Sequence, residues 1–404
     1  MVDIYNKFPI FFNDKFPVNY INNIEGWGIL KNDLHSKLDD GTYKLLTLDI
    51  DVGDRCSLNC PHCFKKGFAN NISKPGKNLN IKNLLEIIKE AKNLGLQSIK
   101  ILGGGEPFEN DEFLPFLRTV SSLNIDIVIF TKGHVLGSDE LADKYNHRYG
   151  ISTAEQLVNE LFKLRISIML GFNSFNKEQQ LKFVGMPSTS TFDYFNYRNK
   201  ALQFLVDAGF NQYIKGKPTR LALIAAPFKS ENIDEIYEIY KWGRIRNIYV
   251  ATCPTTVSGD GKKEITNIKE HGIKEFIQKS IDLYTKIYLW SIDKNIMTLE
   301  SFKENGVSLY PGVHPCNQTA AGFYILVDGK VVICPGSDSN DAVIDYDIRN
   351  KSLKEIWIKS INYTYATKED NFNFYCVARE KELFNQDNFF KPIYSNVIKH
   401  FNKE

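Results

Sequence analysis

Short apolar runs alternate with amphipathic stretches along most of the chain. The runs at 45–52 (LLTLDIDV), 98–104, 126–131, 166–172, 220–226 and 247–252 are continuous and rich in β-branched residues, the pattern of parallel strands buried on both faces. Between and after them lie helical patterns at 80–95, which stops on Gly95, and at 111–123, where Pro115 disturbs the first turn. Further helical patterns occupy 153–164, 198–209, 232–244 and 273–290. Residues 176–197 read as a polar, aromatic loop, and 258–272 (SGDGKKEITNIKEHG) as the most linker-like stretch. Six strand–helix units predict an α/β fold, a partial (β/α)6 TIM-like barrel, with a doubly wound sheet as the competing architecture. In either one, chemistry sits at the carboxyl ends of the strands. That rule selects the loop after Asp51, the segment from Gly103 to Pro107, Thr131 with Lys132, Asn173 with Ser174, and Cys253.

The remainder sets the domain expectation. Residues 1–44 form an aromatic lead-in (Tyr5, Phe8, Phe11, Phe12, Phe16, Tyr20, Trp27) expected to pack on the barrel, 45–290 the barrel, and 291–404 a smaller α+β unit with a charged, partly helical tail. At 404 residues with 43% hydrophobic and 24% charged positions, composition is that of an ordinary globular chain. A net charge of +2 gives no electrostatic case for nucleic acid or an anionic membrane. No signal-peptide core or spanning run is present, so the expected compartment is the cytoplasm.

Charge is uninformative, but the cysteines are not. Of seven, three fall within eight residues as CSLNCPHC: Cys56, Cys60 and Cys63. An odd cluster has no pairing logic in a reducing compartment. Zinc sites are read from two separated pairs, and no second pair follows, although His62 stands within the loop. Three close thiolates can also hold three irons of a [4Fe–4S] cluster and leave the fourth iron open. Spacing alone leaves zinc and iron–sulfur both standing. After the second strand comes GGGEP (103–107), glycines that let a ligand approach the backbone, or simply a tight turn.

Together, a CxxxCxxC loop after strand one and a GGEP loop after strand two resemble the radical SAM superfamily. The resemblance implies that Cys56, Cys60 and Cys63 bind a [4Fe–4S] cluster whose open iron is chelated by S-adenosylmethionine. It implies that Gly104, Gly105 and Glu106 support the methionine amino group and that His62 lies near the adenine. Asn173 and Ser174, at the fourth strand end, stand where members place polar contacts to ribose or carboxylate.

In the last third, HPCNQTAAGFYILVDGKVVICPG (314–336) holds two short strands joined by an Asp-Gly turn, with Cys316 and Cys334 on either side. IRNKSLKEIW (348–357) and an isolated Cys376 follow. This series is similar to the SPASM/twitch extension of radical SAM enzymes. It implies one auxiliary [4Fe–4S] cluster on Cys316, Cys334 and Cys376, its fourth ligand unidentified. Cys253 is expected as a buried structural residue, with ligation or an active-site place as alternatives. Lys132 reads equally as an active-site cation or a solvated lysine. One of Asp49 and Asp51 is expected to hydrogen-bond backbone in the cysteine loop rather than act on substrate, and His134, His147 and His314 show no metal spacing.

The implied activity is reductive cleavage of S-adenosylmethionine to a 5′-deoxyadenosyl radical that removes hydrogen from a substrate C–H bond, with reduced flavodoxin or ferredoxin as donor. Peptide or protein modification leads the expectation. A small-molecule dehydrogenase or carbon-skeleton enzyme stands behind it, and an iron–sulfur electron carrier or redox sensor is the non-enzyme alternative.

Overall fold

The computed structural model describes residues 5–27, 33–65, 78–312, 318–336, 343–367, 376 and 378–402. Six strands run parallel: β1 (Thr47–Asp51), β2 (Ser98–Gly103), β3 (Asp126–Thr131), β4 (Ile166–Gly171), β5 (Leu221–Ile224) and β6 (Tyr249–Ala251). They form an open, partial TIM-like barrel wall in simple sequential order. Their crossover helices include α1 (Ile81–Asn93), α2 (Phe113–Ser121), α3 (Ala154–Lys163), α4 (Tyr194–Asp207) and α5 (Ile233–Arg244). α1 starts on an Asn80–Asn83 reciprocal cap, which satisfies two otherwise orphaned amides.

Alternation along each strand separates two environments. Leu48, Ile50, Ile99, Ile101, Ile127 and Ile129 point to the helices and form the main core. The other face forms the barrel interior: Val128, Met169, Ala222, Ile224, Tyr249 and Ala251 make a separate apolar cluster. At β1 and β2 that interior face is charged instead, with Asp49, Asp51 and Lys100 all buried.

The last third joins the same sheet. β7 (Gly322–Ile325) pairs parallel with β1, then β8 (Lys330–Val332) and β9 (Val343–Asp347) continue antiparallel, giving the order β6-β5-β4-β3-β2-β1-β7-β8-β9. The Asp328-Gly329 turn forms as expected, with Gly329 at φ +87°. A helix over Leu353–Lys359 carries Trp357, fully buried, whose indole N–H donates to the Tyr43 carbonyl at 2.7 Å.

Two readings need correction. The stretch 258–272 is no linker: Gly261–His271 is helical, with Ile265 and Ile268 buried three residues apart inside a polar composition. Within 176–197, Lys177–Phe183 is a helix capped by Asn176. A helix over Asp139–Asn146 was not legible, since few of its residues face the core. Aromatic side chains of the lead-in meet barrel residues. Tyr5 meets Phe172, Phe175 and Trp242, and Phe12 and Phe16 cluster with Ile296. Trp27 instead stands in the barrel interior, with the Lys100 ammonium 4.9 Å from its ring centre. No described helix is long and apolar enough to cross a membrane.

Candidate functional site

The carboxyl end of the barrel opens into a cavity of about 840 Å3. Its wall includes Cys56, Cys60 and Cys63 from the loop after β1, and Gly103, Gly104, Gly105 and Glu106 from the loop after β2. Parallel neighbours place the two loops side by side, and glycine lets them touch. A Cβ on Gly104 (φ +92°) would lie 2.0 Å from the Gly53 carbonyl oxygen, and one on Gly105 2.0 Å from that of Arg55. The Glu106 amide donates to the Arg55 carbonyl at 2.8 Å. The glycine-rich loop is therefore also a clamp on the cysteine loop.

Glu106 itself is buried, with Thr131 Oγ1 donating to it at 2.5 Å and the Lys132 amide at 2.8 Å. Burial pushes its carboxyl above the ordinary value despite those donors. Its carboxylate thus ties β2 to the end of β3, and the loop backbone is left to face a ligand. Lys132 is half-buried in the cavity wall. His62 is buried in the same wall, edge-on to Phe183 at 5.6 Å between centroids. Burial, with Lys132 and Lys229 nearby, lowers its pKa well below the ordinary value, so the ring is neutral.

Cys56 is accessible from the cavity. Burial by surrounding protein and the charge of Glu106 push its thiol up to about 12, so metal uptake there releases a proton. Among the described residues no three His, Cys, Asp or Glu side chains meet on one point. Three thiols on one loop can give one thiolate to each of three irons of a [4Fe–4S] cluster and leave the fourth open.

Two residues that the sequence did not single out brace this loop. Glu109 Oε1 accepts from the Ser57 amide at 3.0 Å and lies 2.7 Å from His134 Nε2. Burial works against the Glu109 carboxylate, but His134 and Ser57 outweigh it and hold its pKa below the ordinary value. Asn110 Nδ2 donates to the Val52 carbonyl at 2.8 Å. Glu109→Ala is expected to lower iron retention under chelator challenge by roughly 10-fold, with Glu109→Gln in between. Equal retention in all three proteins would show that the brace is dispensable.

Asn173 and Ser174 are placed elsewhere. Ser174 Oγ donates to Glu235 Oε2 at 2.6 Å, both amides donate to Gln180 Oε1, and Asn173 Nδ2 donates to the Ala226 carbonyl at 3.0 Å. Arg198 closes this buried network through Gln180 and Tyr5. Neither residue is in the cavity wall, so the expected ribose or carboxylate contact has no support in their placement.

The interior charges are paired. Asp51 accepts from the Tyr324 hydroxyl and lies 3.4 Å from Lys65 Nζ, whose ammonium also sits 3.8 Å from the Tyr324 ring centre. Its backbone contact is with the Val327 amide, at 3.3 Å, outside the cysteine loop. Asp49 is 3.9 Å from Lys100 Nζ. Burial raises the Asp49 carboxyl from 3.8 to about 6, against the pull of Lys100 and Lys65. Because the folded value is the higher one, Asp49's contribution to stability is complete below its unfolded pKa and disappears as pH rises through about 6. Thermal melts between about pH 5 and pH 7 should therefore show wild type losing stability relative to Asp49→Asn, by about 1 kcal/mol. Parallel profiles would refute the shift.

Of the last third, Cys334 lines the same cavity and Cys376 packs, half-buried, against the main core. Cys316 and His314 lie outside the described residues. Cys253 is buried in the cavity wall.

Residues 50–242 match the family described as Radical SAM superfamily. The protein carries a radical SAM domain over this span. It is an enzyme of that class, whose cofactors are a [4Fe–4S] cluster and S-adenosylmethionine. The matched span contains both cavity loops. A curated radical SAM relative, GTP 3′,8-cyclase of Helicobacter pylori, is 23% identical over 309 residues, covering 74% of this chain and 85% of the relative. Among solved structures, anSMEcpe with bound AdoMet and Kp18Cys peptide superposes at TM-score 0.54 with 12% identity, covering 89% of this chain and 98% of that one. Streptococcus suis SuiB bound to precursor peptide SuiA gives 0.52 with 15% identity, over 80% of this chain and 66% of that one. The chain thus spans just under two thirds of SuiB, and at these identities the structural likeness is one of fold.

Proposed function

We propose that this radical SAM enzyme abstracts hydrogen from a small organic molecule held in the barrel cavity. One observation carries the reading. The cysteine loop, the glycine loop and the apolar floor all face one cavity of about 840 Å3, within the roughly 300–1,000 Å3 of small-molecule sites. That volume has to take S-adenosylmethionine together with the substrate, and so suits a small molecule or one projecting side chain. The GTP 3′,8-cyclase relative supports the small-molecule class over the peptide modification that the sequence alone favoured.

In this reading Cys56, Cys60 and Cys63 hold the cluster, and the exposed backbone of Gly103–Gly105 receives the methionyl amino group. Bound there, cluster and S-adenosylmethionine supply the 5′-deoxyadenosyl radical, with reduced flavodoxin or ferredoxin as the electron source. The chain's own part is positional. Glu106 fixes the loop, neutral His62 offers a flat, uncharged wall for the adenine, and Phe130, Met169 and Ile224 keep the interior dry. Cys334 and Cys376, with the β7–β8 hairpin and the 353–359 helix, support a twitch-like auxiliary cluster in 291–404. A peptide presenting a single side chain is the second reading, favoured by the fold shared with SuiB and anSMEcpe.

The test is 5′-deoxyadenosine release by the anaerobically reconstituted enzyme with reductant and S-adenosylmethionine. GTP, other nucleotides, and the low-molecular-mass and peptide fractions of a cell extract would be added in turn. Stimulation by a low-molecular-mass component supports the proposal. Stimulation by the peptide fraction alone overturns it in favour of the second reading.

A further inference from the structure

Three chain segments, far apart in sequence, meet beside the cavity. Cys253 lies just beyond β6, Cys334 just beyond β8, and Cys376 before the final helical region. The contact between the segments is direct. The Val257 amide donates to the Ala378 carbonyl at 3.0 Å. A Cβ on Gly336 would lie 2.6 Å from Ala378 Cβ and 3.0 Å from Thr256 Cγ2. So the stretches 253–257 and 334–336, each bringing one cysteine, touch each other and Ala378, which lies two residues after Cys376. All three cysteines are thiols.

Arg379 sits at the junction. It is buried, lines the cavity, and its Nη2 donates to Cys253 Sγ at 2.9 Å. Cys334 and Cys376 also act on its guanidinium. A structural cysteine packed among aliphatic side chains would account for none of this. Two of the three thiols, Cys253 and Cys334, line the cavity, and the buried cation bonded to Cys253 suits an anionic thiolate-bound cluster whose charge a guanidinium offsets.

We propose that Cys253, presented by the barrel's own sixth strand, is a ligand of the auxiliary [4Fe–4S] cluster together with Cys334 and Cys376. The proposal rests on the auxiliary-cluster reading above. It ties that cluster to the barrel and not to the last third alone. It also gives Arg379 a role: a hydrogen bond to a ligating sulfur raises the reduction potential of the cluster.

The experiment uses the full chain, anaerobically reconstituted, in a Cys56/Cys60/Cys63→Ala background, so that every iron counted belongs to the second site. With Cys253 intact, about four irons and four sulfides per chain and the EPR signal of a reduced cluster are expected. Adding Cys253→Ala should remove most of that iron. Cys253→Ser, which keeps an oxygen donor and the side-chain volume, should retain iron but with altered EPR g-values and a shifted potential. If iron content and EPR signal are unchanged in both, Cys253 is not a ligand while the auxiliary cluster stands. If the background with Cys253 intact binds no iron, the auxiliary cluster itself is wrong and this proposal falls with it.

Discussion

Replacing Cys60 by alanine should abolish 5′-deoxyadenosine formation and lower the iron content by about four per chain. Cys60 is the middle thiol of the loop, and the Cys63 amide donates to its carbonyl at 3.2 Å, a backbone contact that alanine preserves. Its side chain packs beside Leu58, Leu181 and Val184 in a small apolar cluster, where losing one sulfur costs about 1 kcal/mol. The fold should therefore survive while the site does not. Two thiolates cannot hold a cluster meant for three, and the acids beside the loop are committed, Glu106 to Thr131 and the Lys132 amide, Glu109 to the Ser57 amide and His134. Iron and sulfide counts with a thermal melt check this. A Cys60→Ala protein that melts normally, keeps all its iron and still cleaves S-adenosylmethionine would remove this loop from the chemistry.

The second large effect comes from a single methyl group. At Gly105 the added Cβ of alanine would sit 2.0 Å from the Arg55 carbonyl oxygen and 2.7 Å from its carbon, both backbone atoms of the cysteine loop. No rotamer relieves that contact, so one loop must move away from the other. Cluster retention and S-adenosylmethionine binding should both fall by roughly 10–100-fold, the scale for losing support around metal ligands. Stability should fall by about 1–3 kcal/mol. Gly272→Ala is the control, because a Cβ there meets nothing within 4 Å. Iron content after a chelator challenge and calorimetric S-adenosylmethionine affinity separate the cases. If Gly105→Ala behaves like Gly272→Ala, the clamp between the two loops has no functional weight.

What could be read from sequence shares one property, that its cause is local. The six parallel strands were visible because strands buried on both faces are continuously apolar, and β3 falls on the expected residues, Asp126–Thr131. The cysteine loop was visible because its thiols lie within eight residues and approach one another whatever the fold does. The Asp-Gly hairpin was visible because the turn's backbone demands those residue types. Local composition also misled. The polar run over 258–272 hid a helix whose two buried isoleucines are a minority signal. FNSF at the end of β4 offered polar side chains that Gln180, Glu235 and Ala226 engage in a buried network, and neither Asn173 nor Ser174 is in the cavity wall.

By itself, then, the sequence determined the six strands, the loops at their carboxyl ends and the close spacing of the three thiols in residues 56–63. Only the tertiary structure decided what supports them. Glu109 reaches Ser57 across 52 residues because β1 and β2 are parallel neighbours whose loops emerge side by side. Cys253 meets Arg379 across 126 residues because the last third returns to the barrel and adds β7 to the edge of β1. Contacts of that separation depend on loop closure and sheet order, and no spacing along the chain records them.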